Sequence, residues 1–257
     1  MIDYSENDKN KFFKYGYIVK NFFYKDNDFL QISNELKHEI SKNIQNIDIE
    51  ILGGYKSGNL NLNPGKFGNY IYEILTKKNF KEFFKFITQD DLENYSIQLG
   101  GNLNLPKSKN QLFHTDGPWN PRMLILNIAT TQIDISNGPI EIYEKSHIQN
   151  YPYWKFHFKK FLMKKKKIRL NFGEILFREH RLWHRGTKNN SDNYREMIGI
   201  MFLKKKQSEI SNQEVSEKIK IFSNIFGTST KEKIKEYIFL YCKPILFLYK
   251  FFISINK

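Results

Sequence analysis

Arg195-Glu196-Met197-Ile198-Gly199-Ile200-Met201-Phe202 reads as a β-strand with two unlike faces. Period-two alternation puts Arg195, Met197, Gly199 and Met201 on one side and Glu196, Ile198, Ile200 and Phe202 on the other. A guanidinium on the same side as a glycine is costly to bury unless a carboxylate meets it, so an internal acidic partner or an acidic ligand is expected. Upstream, short β-rich runs recur at 95–105, 111–115, 123–132, 139–143, 168–170 and 174–177. Turns such as Asn137-Gly138-Pro139 and Asn171-Phe172-Gly173 separate them. Strands at this spacing, with no parallel βαβ alternation, predict an antiparallel sandwich or barrel.

Helices flank this region. Phe29, Leu30, Ile32, Leu36 and Ile40 recur at helical spacing over 28–43, and Tyr72, Ile74, Leu75, Phe80, Phe83 and Phe84 do so over 70–87. The Gly/Asn-rich stretch 53–65 between them reads as an ordered loop. The tail, 231–257, is helix-like and apolar, but Lys243-Pro244 and Lys250 interrupt it, so it falls short of a membrane span. A chain of 257 residues is expected to form a single domain. Its parts would be a helical front end at about 1–94, a β core at 95–205 and a helical tail at 206–257. No internal repeat is visible.

Lys and Arg number 41 against 27 Asp and Glu, a net charge of +14. That excess alone would suggest nucleic acid, anionic lipid or an acidic substrate. Asn, Ile, Phe and Tyr are abundant with the lysine, the set that AT-rich codons specify, so codon composition accounts for much of it. No nucleic-acid-binding motif is present, and no nucleic-acid partner is expected. The runs Lys164 to Lys167 and Lys204 to Lys206 read as solvated charge. The lone Cys242 excludes an internal disulfide framework, and the polar first residues carry no signal-peptide core, so a cytoplasmic protein is expected.

The candidate chemistry begins at His114-Thr115-Asp116. In a strand, residues i and i+2 share a face, so His114 and Asp116 can reach one ion while Thr115 points away. A third ligand has to come from another strand. His180 and His184 are the candidates, and local context favours His184: it follows Leu182-Trp183 and precedes Gly186, whereas His180 lies among charged residues that read as a solvated turn. Two histidines and one carboxylate leave other coordination positions of a divalent metal free, the arrangement of non-haem Fe(II) oxygenases. Arg195 then offers a planar fork for the far carboxylate of a 2-oxo acid.

Phe113-His114-Thr115-Asp116-Gly117, the segment from Asn137-Gly138-Pro139 to Ser146-His147, Gly173-Glu174-Ile175-Leu176-Phe177, Leu182-Trp183-His184-Arg185-Gly186 and Arg195 together resemble the phytanoyl-CoA dioxygenase-like family over roughly residues 96–203. The resemblance implies a mainly β fold with flanking helices (α+β): a double-stranded β-helix, or jelly-roll, core with the N-terminal helices packed on one sheet. It implies Fe(II) held by His114, Asp116 and His184, and 2-oxoglutarate and O2 as cosubstrates. Arg195 would anchor the distal carboxylate and Asn127 would lie near the cosubstrate. The family's Gly-Ser-His turn appears with Lys145 in place of glycine, and His147 is taken as structural. Asp116, where a halogenating relative would carry a small residue, points to hydroxylation or a related C–H oxidation of a small molecule, with release of succinate and CO2. Substrate choice would rest on the loops 53–65, 118–121 and 151–154, with Trp119 the side chain to test first for substrate contact against simple packing. The competing reading is a catalytically silent jelly-roll binding module. Its basic clusters and apolar tail would bring it to a membrane surface. A metal enzyme of another class, such as a cupin-type isomerase, has no use for Arg195.

Overall fold

The computed structural model describes residues 2–23, 27–44, 58–205, 218–223, 238 and 242–255. In chain order its elements are α1 (Glu6–Tyr15), β1 (Tyr17–Asn21), α2 (Asn27–Ile44), β2 (Asn59–Asn63), α3 (Phe67–Thr76), α4 (Lys78–Thr88), β3 (Tyr95–Asn104), β4 (Met123–Ile128) and β5 (Ile140–Tyr143). There follow α5 (Tyr153–Lys159), β6 (Lys165–Ile168), β7 (Glu174–Glu179), β8 (His184–Gly186), β9 (Arg195–Lys204), β10 (Lys220–Ser223) and α6 (Lys243–Ile255). All the strand pairings are antiparallel. One sheet has seven strands in the order β1-β7-β4-β9-β3-β2-β10, and the other has three in the order β6-β5-β8.

Strand alternation sorts the side chains into two cores. On the outer face of the large sheet, Leu124, Leu126, Ile128, Ile175, Phe177, Ile198, Ile200 and Phe202 pack with residues from the helices, among them Phe12, Leu36, Ile71, Phe80, Phe83 and Phe84. The N-terminal helices therefore cover one sheet, as expected. The inner face of the large sheet, with Leu176 and Met197, meets Ile140, Ile142 and Ile168 of the small sheet. The β9 phase predicted from sequence holds: Met197 lies between the sheets, and Ile198, Ile200 and Phe202 lie under the helices.

Several expectations change in detail. The helix expected over 70–87 is two helices, α3 and α4, because Lys77 leaves the helical conformation at φ −68°, ψ 151°. Part of the loop expected at 53–65 is strand β2, which pairs with β3, while residues 53–57 lie outside those described. Strand 111–115 is reduced to one isolated bridge, His114 to His184. The lysines at 165–167 form strand β6 on β5 rather than a plain charged loop. The front end also contributes β1 to the large sheet, paired with β7. Of the tail, residues 231–237 and 239–241 lie outside the described residues, and α6 packs on α5 through Phe247 against Tyr153 and His157. Lys206 also lies outside. No helix among the described residues is long and apolar enough to cross a membrane.

His147 is structural, as expected: its Nε2 meets the Phe13 carbonyl at 3.1 Å, and its ring lies against Gly16 where any side chain would collide. Lys145, the residue in the glycine position of that turn, adopts φ 66°, a left-handed conformation that costs L-residues about 1–2 kcal/mol. Lys145→Gly is therefore expected to raise unfolding stability by up to about 1 kcal/mol, measured by urea denaturation. Phe177 is fully buried and its ring meets those of Phe12, Phe83, Phe84 and Phe202. Phe177→Ala is expected to cost about 3–5 kcal/mol in the same measurement.

Candidate metal centre

The segment before Asp116 is stitched to the small sheet by main-chain bonds. Gln111 N–H donates to the Gly186 carbonyl at 3.0 Å, and His114 and His184 exchange two N–H to carbonyl bonds of 2.9 Å each. Asp116 N–H then donates to the His180 carbonyl at 3.1 Å. These bonds bring residues seventy apart in the chain side by side, and ligand atoms of His114, Asp116 and His184 all lie within 4.8 Å of one another. His114 Nε2 is 3.8 Å from Asp116 Oδ1, and His184 Nε2 is 3.4 Å from Asp116 Oδ2.

Both imidazoles are oriented alike. His114 Nδ1 sits 2.8 Å from the Leu112 carbonyl, and His184 Nδ1 sits 2.9 Å from the Leu182 carbonyl. A carbonyl only accepts, so each Nδ1 donates to it and each Nε2 is turned toward Asp116. A carbonyl behind a histidine that fixes the tautomer is the usual outer support of a metal ligand. Burial, then the neighbouring His184, pushes the His114 imidazole down to about 4. Burial works to raise the Asp116 carboxyl, but His184 and Arg178 overcome it and hold the group well below the usual carboxylate range. The set thus offers two imidazoles and one carboxylate, which suits a divalent metal that accepts nitrogen and oxygen donors.

Arg178 is the member of the site that the sequence reading passes over. Its Nη2 donates to Asp116 Oδ2 at 2.7 Å and its Nε to Asn127 Oδ1 at 3.2 Å. The signal was available: Arg178 is two residues past Leu176, so the β7 phase points both to the inter-sheet side. Asn127, buried on β4, is thereby tied through Arg178 to the carboxylate. His180 is corrected. It is fully buried rather than solvated, with Nε2 2.8 Å from the Pro118 carbonyl and Nδ1 accepting from Met123 N–H at 3.0 Å. It holds the 116–122 loop and has no part in the ligand cluster. Trp119 in that loop lies beneath the Arg181 guanidinium, 4.7 Å from its carbon.

Arg195 is 3% exposed, and its Nη2 donates to the Gly138 carbonyl at 3.0 Å. Its Nε and Nη1 are buried without a hydrogen-bond partner, and no carboxylate among the described residues forms an ion pair with it. Burial lowers its pKa to about 10, which leaves it charged at neutral pH. Glu196 faces the opposite side of the strand, where burial pushes its carboxyl up. Ile133, Ile140, Leu176 and Met197 line a tight apolar crevice beside the guanidinium, too small to hold a water. Of the two alternatives posed by the strand pattern, an internal acidic partner and an acidic ligand, the first is not found as an ion pair among the described residues.

An aromatic wall closes the other side. Trp183, which precedes His184, stacks on Phe156 of α5 at 3.9 Å, and Phe113, which precedes His114, meets Tyr143 at 4.8 Å. Tyr153 joins this wall, and Lys250 of α6 rests over its ring at 5.6 Å. The loop expected at 151–154 thus runs directly into α5.

No protein-family model matches the chain, and no curated protein matches it. Solved structures do. The non-heme alpha ketoglutarate dependent carbocyclase SnoK from nogalamycin biosynthesis aligns with a TM-score of 0.61 at 13% identity, over 78% of this chain and 84% of that one. The epimerase SnoN, in complex with Fe3+, alpha ketoglutarate and nogalamycin RO, aligns at 0.60 and 13%, over 77% and 82%. EctD from S. alaskensis with bound Fe aligns at 0.57 and 12%, over 78% and 76%. The fold is one that these iron enzymes share.

The neutral state of His114 has a consequence for the metal-free protein. Between the ordinary imidazole value of 6.5 and about 4, the unfolded chain binds a proton that the folded chain excludes. Stability is therefore expected to fall as pH drops through that window, with no contribution from this group above it. Proton NMR of the His114 ring should give a midpoint near 4, and denaturation at successive pH values should show the accompanying loss.

Proposed function

We propose that the chain is an Fe(II)- and 2-oxoglutarate-dependent dioxygenase. It would oxidise a C–H bond of a small-molecule substrate, by hydroxylation or a related outcome, with release of succinate and CO2. The two sheets would be the halves of a double-stranded β-helix in one domain, and the protein would work in the cytoplasm. His114, Asp116 and His184 would hold the iron. What supports this reading is a pair of features: a ligand set of two histidines and a carboxylate, and a buried guanidinium, Arg195, with which no carboxylate among the described residues forms an ion pair. Shared fold with enzymes that bind iron and alpha ketoglutarate supports it.

When bound, iron with 2-oxoglutarate and O2 supplies the oxidising chemistry, and the chain supplies position and exclusion of water. The Leu112 and Leu182 carbonyls keep both Nε2 lone pairs on the metal side. Arg178 fixes the Asp116 carboxylate and offsets its charge, so that the ligand is held before the metal arrives. Arg195 would bind the distal carboxylate of 2-oxoglutarate, giving its two unpartnered nitrogens, Nε and Nη1, an acceptor. Asn127 would border the cosubstrate while accepting from Arg178. Phe113, Tyr153, Phe156 and Trp183 would keep water from the reacting face, and Trp119, stacked under Arg181, would touch substrate at the rim.

Anaerobic addition of Fe(II) and 2-oxoglutarate to the protein is expected to produce a weak visible charge-transfer band, absent in His184→Ala. Arg195→Met is expected to keep iron binding and raise the half-saturating 2-oxoglutarate concentration by about a hundredfold, the worth of a charged hydrogen-bonding pair. A wild-type protein with no band at saturation and no succinate under air would instead be a binding module.

A further inference from the structure

Large apolar side chains gather on the surface formed by α5, the single turn Lys160–Leu162 that follows it, and α6. Phe161 and Leu162 are each 82% exposed, Phe158 65% and Phe252 60%. Helix α6 is apolar on two sides. Phe247 and Phe251 turn toward α5, where they meet His157 and Phe158, and Ser254 Oγ accepts from Trp154 N–H at 3.1 Å. Ile245, Leu248, Phe252 and Ile255, spaced by three and four residues, form an exposed stripe on the other side. Ring contacts from Phe158 to Phe251 and from Phe251 to Phe252 join the stripe to the α5 turn. Single exposed apolar residues mean little, but a continuous patch of this kind marks a contact surface.

The charge around the patch selects the occupant. No Asp or Glu occurs between Glu144 and Glu174, or from Lys243 to the end of the chain. Lys155, Lys159 and Lys164 border the patch with no ion pair among the described residues, and Lys160 lies over the Phe161 ring at 5.4 Å. A second copy docked through the same face would set these lysines against themselves, since a two-fold contact pairs a patch with its own image. An apolar centre bordered by lysines without an ion pair among the described residues suits anionic lipid headgroups, with the aromatic and aliphatic tips entering the acyl boundary. Because no described helix can span a bilayer, the contact is peripheral. We propose that the face built by Phe158, Phe161, Leu162 and the outer stripe of α6 docks the protein on an anionic membrane surface. This contact does not depend on the chemistry assigned to the metal centre, although Phe156 and Trp183 place it directly behind the site's aromatic wall.

The test is co-sedimentation of the full chain with vesicles of phosphatidylcholine alone and of phosphatidylcholine mixed with phosphatidylglycerol. Binding is expected only to the mixed vesicles and is expected to weaken with added salt. Phe161→Ser with Leu162→Ser should reduce it at least about tenfold, because two large side chains lose their apolar burial. Lys159→Glu with Lys164→Glu should reduce it independently of those changes. Both positions are exposed, so unchanged circular dichroism would exclude unfolding as the cause. Equal binding to both vesicle types, no binding at all, or a dimer in sedimentation equilibrium that the Phe161→Ser/Leu162→Ser protein cannot form would each overturn the proposal.

Discussion

Two main-chain hydrogen bonds exchanged between His114 and His184 hold the candidate centre together. The segment carrying His114 has no ladder of its own and borrows the edge of the small sheet. Both imidazoles then emerge from neighbouring backbones with ring centroids 4.5 Å apart. Each ring is turned by a carbonyl two residues earlier in its own chain segment, so the same local geometry is used twice. The third ligand follows from where the pairing stops: past Thr115 the chain bends away to the His180 carbonyl and leaves the Asp116 carboxylate between the two rings.

The inter-sheet space is otherwise apolar, which makes its few charges informative. Arg178 and Asp116 neutralise one another across 2.7 Å, with Asn127 taking a further guanidinium N–H. Among the described residues Arg195 hydrogen-bonds the Gly138 carbonyl alone and feels the Glu196 charge from the neighbouring position. Gly138 stands at φ 90°, and a side chain there would strike Asn104 and the Thr187 carbonyl, so the turn that supplies this acceptor needs glycine. A buried cation is normally matched inside the protein. Here the large sheet and the Asn137-Gly138-Pro139 turn enclose a guanidinium with which no carboxylate among the described residues forms an ion pair.

The ligand set was legible because two-residue periodicity and a short His-x-Asp spacing are local properties of the chain. Arg195 was legible for the same reason: β9 is long, and its two faces differ in every residue. What escaped reading depended on contacts distant in sequence. His180 sits among charged neighbours, yet the backbone of Met123 and Pro118 encloses it. Arg178 reads as one charge among several until the β7 phase and the position of Asp116 are known together. Helix α5 hides in a run of aromatics only seven residues long, and its role comes from Trp183 and α6 packing on it. Lys77 breaks what looks like one helix, although no proline or glycine marks the break.

Strand β6 ends the small sheet, with β5 on one side and, among the described residues, no strand beyond it. Three of its four residues are lysines, all exposed. An open sheet edge is a template on which another chain can add a strand, and a row of like charges opposes that addition. The run that reads in the sequence as solvated charge therefore also guards against aggregation. Neutralising those lysines would make the protein prone to form extended β-linked assemblies at high concentration.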